Sequence, residues 1–212
     1  MRLTMRITAA VACLVAPVVL WAAPEVYTID PAHTYPSFET SHMGLSYWRG
    51  KFDHTSGKIW LDRTAKTGRV EIQVDVHSID FGLPILNKVA SGDDFFQAEQ
   101  FPTATYKSDS ISFEGDKPVA INGVLTIRGI AKPVKLQVLS FNCVQHPMFK
   151  REFCGADVRG EFDRREFGMT RDIVAADPNV RLMIQVEAVK GDTLPAPPAS
   201  FGGAGGPPPP PP

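Results

Sequence analysis

The chain has 212 residues, enough for one domain with appendages. It is 43% hydrophobic and 21% charged, an ordinary globular composition. A net charge of −1 excludes the basic excess that nucleic-acid binding needs, and no acidic tract reads as a solvating tail.

The N-terminus reads MRLTMRITAAVACLVAPVVLWAAPEVY. Arg2 and Arg6 form a positive start, an apolar run from Ile7 to Ala23 follows, and Ala22 and Ala23 end it. That is the pattern of a secretory signal peptide over residues 1–22, cleaved after Ala22. A membrane anchor is the competing reading, but the run is short for a span and contains Pro17. Export sets a periplasmic or secreted location and an oxidising compartment.

From residue 23 the dominant period is two. The stretch SFETSHMGLSYWRGKFDHTSGKI (37–59) carries Phe38, Thr40, His42, Ser46, Trp48, Gly50 and Phe52 at even positions, as one face of a strand would. In RVEIQVDVHSI (69–79), Val70, Ile72, Val74 and Val76 alternate with charged and polar residues. VAINGVLTI (119–127) and VKLQVLSF (134–141) alternate likewise and read as a hairpin joined by a loop over 128–133. VRLMIQVEA (180–188) repeats the pattern with Val180, Leu182, Ile184 and Val186. GLPILNKVASGDDFFQAEQFP (82–102) breaks it: Pro84 starts a helix, Ile85, Leu86 and Val89 share an apolar face, and Gly92 stops it. A second short turn is expected from Phe95 to Glu99.

Many evenly spaced strands with one helical excursion predict an all-β fold, a closed antiparallel β-barrel of about eight strands with a short helical insertion. A sandwich is the alternative architecture. The barrel occupies residues 23–190. Residues 191–212, GDTLPAPPASFGGAGGPPPPPP, form a Gly/Pro-rich tail that reads as disordered.

Outside the signal segment two cysteines remain. FNCVQHPMFKREFCGAD contains Cys143 and Cys154, and a disulfide between them would staple a long hairpin. A redox pair would want tighter spacing and an activated thiolate. The histidines at 33, 42, 54, 77 and 146 show no metal-ligand spacing, so no metal site is expected. Gly44-Leu45-Ser46-Tyr47-Trp48 lacks the second glycine of a nucleophile elbow, and no catalytic residues are assigned. An aromatic and aliphatic lining remains, which a packed core and a ligand cavity would share.

The motifs point further. FETSHMGLSYWRGKFDHTSGKI resembles the opening motif of the YceI-like family, in which Phe, His, Gly and Ser precede Gly-x-Phe and Gly-x-Ile. DDFFQAEQFPTATYKS resembles its Asp-Phe-Phe segment, INGVLTIRGIAKPVKLQV its Gly-x-Leu-x-Ile-x-Gly…Pro-Val hairpin, and DRREFGM (163–169) its Arg-x-x-Phe-Gly signature. NCVQHPMFKREFCGAD resembles the paired-cysteine subgroup. The motifs run in order from about residue 26 to 189.

The resemblance implies an extended, lipocalin-like barrel with a long apolar tunnel. Its ligand would be a polyisoprenoid lipid, such as an isoprenoid quinone or polyprenyl chain, or a similar long-chain amphiphile. No catalysis, no required cofactor and no integral membrane segment are implied, and a homodimer is. Parity and motif position together assign the ligand-binding residues Phe38, His42, Trp48, Phe52, Leu86, Val89, Phe95, Phe96, Phe101 and Phe167, with His42 facing a headgroup. One departure is Leu83, Pro84 and Ile85, where the family often carries an Arg or Asp and a His. The alternatives are a stress-response interaction module without lipid and an enzyme acting on a lipid or quinone.

Overall fold

The computed structural model describes residues 23–196. The expected signal segment 1–22 and the tail beyond residue 196 lie outside the described residues. The strands are β1 (Glu25–Ile29), β2 (Tyr35–His42), β3 (Ser46–Phe52), β4 (Thr55–Asp62), β5 (Thr67–Asp75) and β6 (Ile79–Asp80). Then come helix α1 (Pro84–Ser91), β7 (Thr103–Glu114), β8 (Lys117–Ile127), β9 (Ile130–Gln145), β10 (Glu152–Asp163) and β11 (Asn179–Lys190).

Eight of these close into an antiparallel ring, in the order β1-β4-β5-β7-β8-β9-β10-β11, and the pairs Tyr27↔Lys190 to Ile29↔Ala188 seal it. Ring closure decides for the barrel over the sandwich. Strand β11 serves two partners in succession on one edge: β1 through Ala188–Lys190 and β2 through Arg181–Gln185. Strands β2, β3 and β6 thereby carry the wall beyond the ring and lengthen the interior.

Local chemistry sets the turns. Arg128 (φ 53°) and Gly129 (φ 71°) join β8 to β9 in two residues. Both central residues are left-handed, the geometry that matches strand twist. The expected loop over 128–133 is therefore only these two residues, and Pro133 lies inside β9 opposite Val124. Pairing of β9 with β10 reaches only Gln137, so Pro133 removes no ladder bond on that side. The strand expected over 69–79 ends at Asp75, whose carboxylate accepts from the His77 amide at 2.9 Å and starts a single 3₁₀ turn over Val76–Ser78. Helix α1 runs from Pro84 with Gly92 as its C-cap. The segment after it makes successive turns, with Phe95 N donating to Gly92 O and Phe101 N to Gln97 O.

Tyr27, Ile29 and Leu61 are buried in the barrel's apolar core. Tyr27 is 2% exposed, and its hydroxyl donates to Glu152 (2.6 Å), with Glu25 as its alternative acceptor at 3.0 Å. Burial, then those two carboxylates, push the phenol well above its ordinary pKa. Arg63 reaches Glu152 at 3.3 Å and Lys190 pairs with Glu25, so the network is charge-balanced. Cys143 and Cys154 stand directly opposite on β9 and β10 and are disulfide-bonded. Past Lys190 the chain stays pinned to the barrel: the Gly191 amide donates to Val26 O (2.6 Å), Lys58 pairs with Asp192 (3.0 Å), and Arg151 donates to Thr193 O (2.8 Å).

Candidate functional site: an apolar cavity in the barrel

Alternation places every second side chain inside. From β5, Val70, Ile72 and Val74 face a cavity, and from β11, Val180, Leu182, Ile184 and Val186 face it from the other side. The extension contributes Phe38, Thr40, Trp48 and Phe52 from β2 and β3. Helix α1 adds Leu86, Val89 and Ala90, and the turns after it add Phe95 and Phe96. The volume is about 320 Å³, within the range of roughly 300–1,000 Å³ typical of small-molecule pockets. Val89 and Asp172, both on the lining and both exposed, mark the solvent side beside α1.

Helix α1 is held over the barrel from its polar side. The Asn87 side chain accepts from the Phe81 amide at 2.7 Å and donates to Asp80 at 3.0 Å. The Asn87 and Gly82 hydrogen bonds keep the Asp80 carboxyl below its ordinary pKa. Leu83, Ile85 and Val89 remain 48–60% exposed, so the departure at Leu83, Pro84 and Ile85 presents apolar surface to solvent.

The aromatic wall is interlocked. Phe38 meets Phe52 at 5.7 Å and Phe81 edge-on at 5.4 Å, and Phe52 meets Phe96 edge-on at 5.6 Å. Gly50 permits this: a Cβ there would sit 2.6 Å from the Phe38 ring. Any side chain at position 50 would force the Phe38 ring to shift.

Few polar groups reach this wall, and most are satisfied within the protein. The Tyr106 hydroxyl donates to the Val134 carbonyl at 2.9 Å, with the Ile121 carbonyl as its alternative acceptor at 3.2 Å, and burial raises its pKa. Thr40 donates to Asp177 O at 2.6 Å and Thr34 to Glu187 O at 3.1 Å. Arg164 is 5% exposed and donates to Met169 O (2.7 Å) and Ala176 O (2.9 Å). Burial lowers its pKa.

Seven of the ten residues assigned from sequence stand on the cavity wall: Phe38, Trp48, Phe52, Leu86, Val89, Phe95 and Phe96. The other three lie elsewhere. His42 stacks on Trp48 with ring centroids 4.0 Å apart. Phe101 packs beside the β8–β9 turn, where a Cβ on Gly129 would lie 3.3 Å from its ring. Phe167 is fully buried, edge-on to Phe162 at 5.2 Å, in a plug with Val76, Ala98 and Met169. Sequence reasoning had placed the faces of β5 and β11 inside without assigning them to the cavity. Thr55, Tyr106 and Arg164 are not singled out by the sequence, because parity marks a face and says nothing of which polar groups reach the cavity.

The histidines do not converge. His33 pairs with Asp30 (2.8 Å), His54 lies 3.6 Å from Asp75, and His146 accepts amides of its own loop. Asp30, His33 and Glu187 bring ligand-type atoms within 4.8 Å of one another, but at an exposed bend where Asp30 and His33 already bond each other.

Residues 27–188 match the model of the YceI-like domain. The chain belongs to the YceI-like family. Among curated relatives it is similar to a UPF0312 protein of Shewanella denitrificans, 31% identical over 84% of this chain and 94% of that one. A UPF0312 protein of Shewanella oneidensis matches at the same identity and coverage. Among solved structures it is similar to BcnA of Burkholderia cenocepacia, with a TM-score of 0.64 and 25% identity over 75% of this chain and 98% of that one. A polyisoprenoid binding domain from Saccharophagus degradans, implicated in plant cell wall breakdown, shares the fold at a TM-score of 0.56 and 16% identity, over 78% of this chain and 98% of that one. Among the described residues no helix is long and apolar enough to cross a membrane.

Proposed function

We propose that this YceI-like protein is a non-catalytic binder of a polyisoprenoid lipid, an isoprenoid quinone or polyprenyl chain, which it carries or stores in the periplasm. The observation that supports this most directly is the cavity: an elongated barrel interior walled by alternate aliphatic and aromatic side chains. Such a wall desolvates a long chain at about 25 cal/mol per Å² of apolar surface, while offering it little to react with. The polyisoprenoid-binding protein that shares the fold supports the choice of tail. Residues 1–22 serve as the export signal on this reading, and the Gly/Pro tail lies outside the binding domain.

The test is to export the full chain in bacteria, purify it without detergent, extract it with organic solvent and weigh the extract by mass spectrometry. A stoichiometric isoprenoid or long-chain amphiphile is expected. An empty extract from folded, disulfide-bonded protein would reject the lipid reading and favour an interaction module.

A further inference from the structure

Two buried side-chain atoms among the described residues have no hydrogen-bond partner: Thr55 Oγ1 and Arg164 Nε. Both residues line the apolar cavity. Unsatisfied buried polar atoms are rare in folded proteins, and each calls for a partner. Both atoms belong to residues of a single cavity wall, which points to a partner that enters it.

Arg164 is the more demanding. Its guanidinium carries five N–H donors, and the protein supplies two acceptors, the carbonyls of Met169 and Ala176. Among the described residues no carboxylate stands within ion-pairing distance of it, whereas its neighbour Arg165 pairs with Asp163 at the surface. Asp172 shares the cavity lining but is paired with Arg171 at 3.3 Å. The ring of Phe95, with its centroid 5.6 Å from the guanidinium carbon, lies over the group and is itself part of the wall. Arg164 also ties down the segment from Met169 to Ala176, beside the solvent side of the cavity. The opposite reach, lined by Ile59, Val70, Ile121 and Leu136, belongs to the barrel's apolar core.

We infer that Arg164 is the headgroup anchor of the cavity: it donates to an oxygen acceptor at one end of the bound lipid, whose tail then runs into the barrel toward Ile121 and Leu136. The inference rests on the lipid-binding reading and adds to it the ligand's orientation and a chemical requirement. A bare hydrocarbon leaves the guanidinium unpaired. A phosphate, a quinone carbonyl or a hydroxyl pairs it, since each presents an oxygen lone pair. Phe95 is the side chain that gives way as the headgroup enters.

The experiment uses four probes with the same geranylgeranyl tail: the phosphate ester, a benzoquinone, the alcohol and the hydrocarbon. Delipidated full chain labelled with nitrogen-15 is titrated with each. The Nε–H signal of Arg164 is followed by NMR and assigned by its loss in Arg164→Lys. An oxygen-headed probe is expected to move that signal, and the hydrocarbon to leave it in place while still binding. Arg164→Lys is expected to weaken the headed probes by about tenfold or more, the worth of a hydrogen bond to a charged group, and to spare the hydrocarbon. General damage to the Met169–Ala176 segment would instead weaken all four alike, which would overturn the anchor. If Arg164→Lys does not fold, the signal is assigned through its contacts with the Phe95 ring, and the probe series on the unaltered chain decides. Headed probes that bind without moving the Arg164 signal overturn the anchor and leave the lipid reading standing. No binding of any probe overturns both.

Discussion

His42 and Trp48 stack ring on ring across the β2–β3 pair, with centroids 4.0 Å apart and planes inclined by 13°. Trp48 lines the cavity and His42 does not, so the imidazole covers one face of the indole while another part of it meets the cavity. Trp60 is off the lining, with the Arg69 guanidinium 3.7 Å from its ring centroid. Trp48 is therefore the natural reporter of cavity contents. In chain lacking residues 1–22, adding geranylgeraniol is expected to shift tryptophan emission in Trp60→Phe and to leave it unshifted in Trp48→Phe. A signal that survives in Trp48→Phe would place the lipid elsewhere.

Ala104 offers a way to fill the cavity without disturbing its polar groups. It is a small residue on the wall, 7% exposed, next to the open volume. Ala104→Phe is expected to occupy space that the lipid needs. Lipid recovered by organic extraction should fall about tenfold or more, since a blocked site loses several buried methylenes at about 0.8 kcal/mol each. Because Ala104 also touches the packed cluster of Val76, Ala98 and Phe167, stability should fall by no more than about 1–3 kcal/mol, the usual cost of a small-to-large change. Unchanged lipid content in a folded variant would reject this cavity as the site.

Much of this architecture is legible in the sequence, for one physical reason. In β5 and β11 one face meets the barrel interior and the other meets water, so Val70, Ile72 and Val74, and Val180, Leu182, Ile184 and Val186, alternate without interruption. The same parity put Phe38, Trp48 and Phe52 on the correct wall. It failed at Phe101 and Phe167, which lie in turns and a 3₁₀ segment where a period of two has no meaning. It failed at His42 because the residue stands at the strand end, where its neighbour Trp48 takes the inward position. Arg164 was visible only as a motif letter. Its burial depends on Met169, Ala176 and Phe95, partners that no local pattern brings together.

The Cys143–Cys154 bond lies between directly opposed residues of β9 and β10, and neither cysteine lines the cavity. It closes a short loop, with a sequence separation of 11. Constraining such a loop in the unfolded chain stabilises the fold by about 3 kcal/mol in the chain-entropy account. The double variant Cys143→Ala, Cys154→Ala should lose stability of that order in urea melts, while lipid extracted at low temperature stays at the level of the unaltered protein. Loss of lipid without loss of stability would mean that the hairpin touches the ligand.

The bend between β1 and β2 should respond to pH. The Asp30 carboxylate accepts from the Ala32 amide at 2.9 Å and meets His33 Nδ1 at 2.8 Å. That hydrogen bond raises the His33 pKa above 6.5. A raised folded-state pKa means that the native protein binds the proton more tightly than the unfolded chain. The stabilisation is then fully present below pH 6.5 and is lost as pH rises through the raised value. The effect is small, because the His33 side chain is 60% exposed and solvent screens the pair. Melting temperatures of the unaltered protein and His33→Gln should differ more at about pH 5.5 than at about pH 8.5, with the unaltered protein the more stable at the lower value. A difference that grows with pH would show that His33 is held neutral at this bend, and that Asp30 acts there only through the Ala32 amide.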